Sequence, residues 1–380
     1  MDNVLVNKVL ADIPPSFIRA LNDRKRPTSL NLGLGEPSIN PDTDLVEDGL
    51  RKFRNGPQGY TRNAGLQPLR EAINAFRPEL RAHPDRVLIT QGSQEAVFIS
   101  LAALINPGDE VLIMDPAFNI YAPITRLFGG RPVSVAMDPA DGFALRADAV
   151  RRALTPATKL VCVVSPGNPT GRALNDKDAR ALAALAEEHG FTLLVDEVYR
   201  ELHHTDAPAP TPGAYSNRVI TVGSMSKNCA MTGLRVGWAI LPEYAYSTAI
   251  KAHQLCATCA ASLCQYIALA AFEHNALFRH REIYKKRLDV TLAAASEHLR
   301  RAPTRPEGAF YVMLNFRHLP VASVKLSEML LEEEDVVMVP GEAFGPSAHG
   351  FFRISFAQDD ATVVEGIRRL GNLLRKHGWL

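Results

Sequence analysis

The sequence predicts an α/β fold: a large domain on a doubly wound, mainly parallel mixed sheet between helices, joined to a smaller α+β domain. Three observations carry that expectation. Between about residues 85 and 240, short β-branched runs alternate with longer amphipathic ones, the rhythm of βα units. Past residue 241 the pattern switches to two long helical stretches, then to mixed strands and helices. The chain also has 380 residues, more than one hydrophobic core usually organises.

In order along the chain, strands are expected at 86–90, 110–114, 131–135, 159–164, 191–195, 218–222 and 234–241, each a short run rich in Val, Ile and Leu. The helical pattern at 175–189 opens with Asn175 and Asp176 as cap candidates and stops at Gly190. Helices are expected over 243–273 and 276–301, and strands over 309–316, 336–339 and 351–356. The first 45 residues are rich in proline and loop signals, so they are expected to pack on the carboxy-terminal domain or on a partner subunit. The expected division is a large domain, 46–280, and a small one made of 1–45 and 281–380.

Composition narrows the function. With 42 basic and 41 acidic side chains the formal net charge is +1, and the charges are dispersed, which argues against nucleic acid and acidic membrane surfaces as partners. No run of about eighteen apolar residues and no secretory leader pattern occurs, so a cytoplasmic protein that spans no membrane is expected. Five cysteines fit reduced thiols better than a disulfide framework. His253, Cys256, Cys259 and Cys264 sit in an apolar stretch at helical spacing without a second paired motif, so no metal site is expected.

Four motifs lie at the ends of expected strands, where open α/β sheets bind ligands. Ser224-Met225-Ser226-Lys227, with Arg235 eight residues on, can combine an amine nucleophile with a phosphate clamp; alone it reads equally as solvated surface charge. In Leu193-Leu194-Val195-Asp196-Glu197-Val198-Tyr199 an apolar strand delivers a carboxylate, suited to a heteroaromatic nitrogen or to capping the next turn. Ser165-Pro166-Gly167-Asn168-Pro169-Thr170-Gly171 is a rigid turn that can present the Asn168 amide. In Thr90-Gln91-Gly92-Ser93-Gln94 a strand breaks at Gly92 into a helix start, whose free amides suit an anion. The last is neither a Walker loop nor a dinucleotide fingerprint.

Together these supply an amine, a carboxylate, an amide donor and phosphate contacts on one sheet. Pyridoxal 5′-phosphate requires that set: a lysine to form a Schiff base with its aldehyde, an acid beside its pyridine nitrogen, and an anion cradle.

In the same order over nearly the whole chain, these motifs resemble the class I/II aminotransferases, fold-type I pyridoxal-phosphate enzymes. The resemblance implies that Lys227 binds the cofactor aldehyde and moves the substrate proton, and that Asp196 pairs with the pyridine nitrogen. It implies that Tyr199 and Asn168 bond the 3′-oxygen. Gly92, the Ser93 and Gln94 backbone, Ser224, Ser226 and Arg235 would hold the phosphate. Phe118 matches the ring that stacks on the pyridine, and Tyr60 the tyrosine that reaches the phosphate in the neighbouring subunit, which implies a homodimer with shared sites. Arg353, in Phe352-Arg353-Ile354-Ser355, and Gly35, in Leu34-Gly35-Glu36-Pro37, match the substrate α-carboxylate site, joined by Asn168.

One departure bears on substrate. Where the bacterial aspartate-preferring subgroup has a lysine that reads a second carboxylate, this chain has Gln94. The expectation is therefore ping-pong transfer of an amino group from an L-amino acid, neutral or aromatic rather than aspartate, to a 2-oxo acid. The competing readings are a β-elimination lyase on the same scaffold and a non-catalytic cofactor-binding regulator.

Overall fold

The computed structural model describes residues 6–380. Its strands, in chain order, are β1 (Leu30–Asn31), β2 (Val87–Thr90), β3 (Glu110–Asp115), β4 (Arg131–Ala136), β5 (Thr158–Val164), β6 (Thr192–Asp196), β7 (Val219–Ser224), β8 (Gly237–Ile240), β9 (Tyr311–Asn315), β10 (Val336–Val337), β11 (Val339–Pro340) and β12 (Phe351–Ser355). Seven of them form the central sheet, in the order β2-β8-β7-β6-β5-β3-β4. All neighbours are parallel except β8, which runs antiparallel between β2 and β7.

Helices cover both faces because successive strand residues point to opposite sides. On β5, Leu160, Cys162 and Val164 enter one apolar cluster with Val97 and Leu101 of helix Ser93–Leu104. Val161 and Val163 enter another, against Leu182, Leu185 and Ala186 of helix Asp176–His189. That helix starts as its sequence indicates: the Asn175 side chain accepts from the Asp178 N–H, and it ends at Gly190 in the left-handed region. Pro132 is tolerated in β4 because β4 is the sheet's edge. A third cluster joins β9 and β12 to helices Arg281–Leu299 and Asp360–Lys376 through Tyr284, Leu288, Phe310, Phe352, Ile367 and Leu370.

The structure corrects several boundaries. The expected strand 234–241 shortens to β8, because Thr232–Leu234 forms a 3-10 turn and Arg235 takes a left-handed φ of 53°. The expected helix 243–273 splits into Glu243–Cys256 and Ser262–Glu273. At the break Thr258 has φ 61°, and Asn63 Nδ2 and Gln265 Nε2 donate to the freed carbonyls of Thr258 and Ala260 at 2.7 and 2.8 Å. Residues 276–301 begin with a 3-10 turn, Ala276–Phe278, before helix Arg281–Leu299. Residues 336–339 split between two sheets: β10 pairs in parallel with β1, and β11 pairs antiparallel with β12.

Among the helices not anticipated are Thr43–Asn55 and Gln67–Phe76. The first lies so close to helix Ser262–Glu273 that a Cβ on Gly49 would sit 2.5 Å from Ile267 Cα, so only glycine fits there. Leu21, with Phe17 against it, packs on Leu331 and Val337, and together with the β1–β10 pairing this seats residues 17–31 on the carboxy-terminal elements, whereas helix Lys8–Ala11 lies against helix Tyr121–Leu127. Residues 1–5 of the expected amino-terminal arm lie outside the described residues. Among the described residues, no helix is long and apolar enough to cross a membrane.

Candidate active site

Strands β2, β3, β5, β6 and β7 all run the same way, so their carboxyl ends, and the turns that follow, meet at one edge of the sheet. There they enclose a cavity of about 240 Å³, closed on its other side by Leu34, Gly35, Tyr311 and Arg353 and by Ile18 of helix Phe17–Asp23. Eleven of the fourteen residues singled out by sequence line it: Gly35, Ser93, Gln94, Phe118, Asn168, Asp196, Tyr199, Ser226, Lys227, Arg235 and Arg353.

Asp196 ends β6 and is buried. Its Oδ2 accepts from the Tyr121 hydroxyl at 2.8 Å, and its Oδ1 from the Val198 N–H at 3.3 Å, so it also caps the following turn. Burial pushes its carboxyl up to about 6, against the pull of the Tyr121 hydrogen bond. Lys227 leaves the end of β7 and donates from Nζ to the Gly35 carbonyl at 2.9 Å. Burial brings its amine down to about 8, so a usable fraction is neutral near physiological pH. The Tyr199 hydroxyl meets that of Tyr311 at 2.9 Å, and burial raises both phenols.

Arg353, on β12, is 2% exposed. Its Nη1 donates to Asn168 Oδ1 at 2.9 Å and its Nη2 to the Gly33 carbonyl. Its guanidinium lies between the rings of Tyr311 and Phe344, 4.5 and 4.7 Å from their centroids. Its Nε is buried without a hydrogen-bond partner, and among the described residues no carboxylate ion-pairs with it. A buried guanidinium with only neutral acceptors is an incomplete pair, and burial lowers its proton affinity accordingly.

At the other end of the cavity, Gly92 (φ 77°) precedes helix Ser93–Leu104, whose first turn has no side-chain cap, so its amides remain available to an anion. A Cβ on Gly92 would meet Arg235 Nη2 at 2.3 Å, and one on Gly237 would meet Ser93 N at 2.4 Å. Both glycines are needed for this close approach. Arg235 Nη1 donates to the Thr232 carbonyl at 3.0 Å and lies 3.5 Å from Ser226 Oγ. Ser226 Oγ in turn is 2.9 Å from Ser224 Oγ. Ser224 is buried behind Ser226, bonded to the Val236 carbonyl, and does not line the cavity. Gly92 is likewise one step behind the wall.

Tyr60 is not brought to this cavity. It is 91% exposed, on a loop tied to the 258–266 segment by Asn63 to Thr258 and by Gln265 to Thr61 Oγ1. Two tyrosines absent from the sequence reading, Tyr121 and Tyr311, do line the cavity. The His253 group does not assemble: His253 is buried while Cys256 is exposed, and among the described residues no three His, Cys, Asp or Glu side chains are placed as metal ligands.

The residues present suit pyridoxal 5′-phosphate. One end offers uncapped helix amides, a hydroxyl and Arg235 to a phosphate. The floor offers a buried carboxyl without a cationic hydrogen-bond partner, suited to a protonated ring nitrogen, and the wall offers a partly desolvated lysine.

Comparisons with known proteins agree. The sequence profile described as "Aminotransferase class I and II" matches residues 27–370. The chain is 33% identical to the aspartate aminotransferase of Pyrococcus abyssi, over 96% of this chain and 97% of that one. It is 31% identical to aromatic-amino-acid aminotransferase 2 of Thermococcus litoralis, over the same shares. The solved aspartate aminotransferase of Thermus thermophilus with maleate superposes with a TM-score of 0.90 at 31% identity, covering 97% of this chain and 99% of that one.

Proposed function

The chain belongs to the class I and II aminotransferases, enzymes that work with pyridoxal 5′-phosphate, and from that premise we propose the roles of its residues and its preferred substrates. The observation that carries the reading is the convergence of Lys227, Asp196 and Arg353 on one cavity.

When bound, the cofactor supplies an electron sink for the negative charge that develops at the substrate α-carbon. Lys227 would hold its aldehyde carbon, Asp196 its pyridine nitrogen, and Asn168 and Tyr199 its 3′-oxygen, with Phe118 on the ring face. Ser93, Gln94, Ser226 and Arg235 would hold the phosphate, supported by Gly92 and Ser224. Arg353 receives the substrate α-carboxylate, completing a guanidinium that has only neutral acceptors among the described residues. Gly35 gives the carboxylate room: Tyr311 Oη lies 1.9 Å from where a Cβ would stand, so any other residue would displace that hydroxyl into the site. Lys227 Nζ, freed when the substrate amine takes its place at the aldehyde carbon and with its proton affinity lowered by burial, would carry the α-proton to that carbon in the first half-reaction and back in the second. The cycle is ping-pong: an amino acid leaves as its 2-oxo acid before a second 2-oxo acid enters.

The donor we propose is neutral or aromatic rather than aspartate. Ile18, Leu34, Phe118 and Ile120 line the cavity, its three cations are already committed, and Gln94 offers an amide. A homodimer belongs to the same reading. Arg235 and Gln94 are exposed at the phosphate end, and a fully exposed tyrosine on a fastened loop suits insertion into a partner's site. A large unit of 46–280 and a small one of 1–45 with 281–380 is likewise proposed, supported by the separate apolar cluster around β9 and β12. A cytoplasmic setting is supported by five free cysteines.

Lys227→Ala tests the assignment. It should abolish transamination while leaving the melting temperature within a few degrees of wild type. Normal turnover by this variant would discard the mechanism.

A further inference from the structure

Tyr121 is the first residue of helix Tyr121–Leu127, 1% exposed, and lines the cavity beside Asp196. Its ring is fixed by the apolar cluster around Val97, Leu160 and Leu194, and its own carbonyl accepts from Thr125 Oγ1 at 2.8 Å. Among the described residues the Tyr121 hydroxyl has one partner, Asp196 Oδ2, at 2.8 Å. The other carboxylate oxygen is held by the Val198 N–H. Two donors on two different oxygens, one from each side, leave the carboxylate no freedom to rotate, and each oxygen keeps a lone pair for a further donor.

We propose that Tyr121 is a positioning residue for Asp196, fixing the plane of its carboxylate toward the cavity so that it meets a ring N–H in line. The inference rests on the assignment of Asp196 to the pyridine nitrogen. Charge also requires such a donor. The titratable groups facing Asp196 are Tyr121, Glu197, Lys227, Tyr199 and Cys162, and of these only Lys227 is cationic, with its amine bonded elsewhere. A neutral hydroxyl is thus the main side-chain contact that favours the ionised carboxylate before the cofactor arrives, against the burial that favours the protonated one.

A purely structural tyrosine would stabilise the core without touching the chemistry, and the test separates the two. In Tyr121→Phe, the ring stays and the donor goes. Carbon-13 NMR of the unloaded protein, with Asp196→Asn to identify the signal, follows the carboxyl titration, and equilibrium dialysis against pyridoxal phosphate follows affinity at pH 7. The titration is expected to move up by about one pH unit and the affinity to fall about tenfold. 3-Fluorotyrosine at position 121, whose hydroxyl is more acidic, should move the titration down, and it serves even where the phenylalanine variant folds poorly. Unmoved titration and affinity, with only a lower melting temperature, would overturn the inference. Should Asp196→Asn itself bind the cofactor normally, the assignment of Asp196 falls; should it weaken binding while Tyr121→Phe does not, only the role of Tyr121 falls.

Discussion

Replacing Arg353 with lysine removes the group on which substrate recognition is argued to depend, while keeping its charge. The guanidinium now sits between two aromatic faces, with Nη1 and Nη2 fixed by Asn168 and Gly33. A lysine can offer a carboxylate one compact donor but cannot fork, and it fills the slot between Tyr311 and Phe344 poorly. Losing one charge-assisted hydrogen bond and part of the stacking costs about 2 to 4 kcal/mol, a ~30- to 1000-fold fall in kcat/KM. The assay is the first half-reaction under single-turnover conditions, with an L-amino acid and, in parallel, the amine of the same side chain that lacks the α-carboxylate. The loss should appear with the amino acid and be absent with the amine. A variant within threefold of wild type on the amino acid, or equally impaired on both, would refute the assignment.

Asp196→Asn should change how the unloaded protein's stability depends on pH. The native carboxyl holds its proton to about 6 against an ordinary 3.8, so the native state binds more protons in that window and loses stability as pH rises through it. The asparagine variant lacks this fall, and relative to wild type it should gain about 2 kcal/mol between pH 4 and 7 in urea melts; parallel curves would contradict the burial argument. Mixing Tyr60→Phe with Lys227→Ala subunits should create heterodimers with one site free of both changes, raising activity above the sum of the two parents; simple additivity would argue against a shared site.

Much of the fold was legible because burial in a parallel sheet leaves a strong local pattern. The apolar runs expected at 159–164, 191–195 and 218–222 became β5, β6 and β7, with bounds shifted by one or two residues. The break at 257–261 was not legible, since Ala-Thr-Cys-Ala-Ala carries neither glycine nor proline and the freed carbonyls are satisfied by Asn63 and Gln265. Helix Gln67–Phe76 has apolar residues at 69, 73 and 76, a helical spacing hidden among the loop signals around it. In the site, residues within motifs were found and those joined only by tertiary contact were not. Tyr121 meets Asp196 across 75 residues, and Tyr311 meets Tyr199 across 112. The one sequence signal that could have found Tyr121 is its place three residues past Phe118, in the segment that follows β3.

The central claim, amino transfer in two separable halves, is tested most directly by giving the cofactor-loaded protein single L-amino acids without any 2-oxo acid and counting products per chain. The account expects a burst of one 2-oxo acid per chain and no ammonia, faster for neutral or aromatic donors than for aspartate. Sustained release of ammonia, or no 2-oxo acid from any donor, would contradict it.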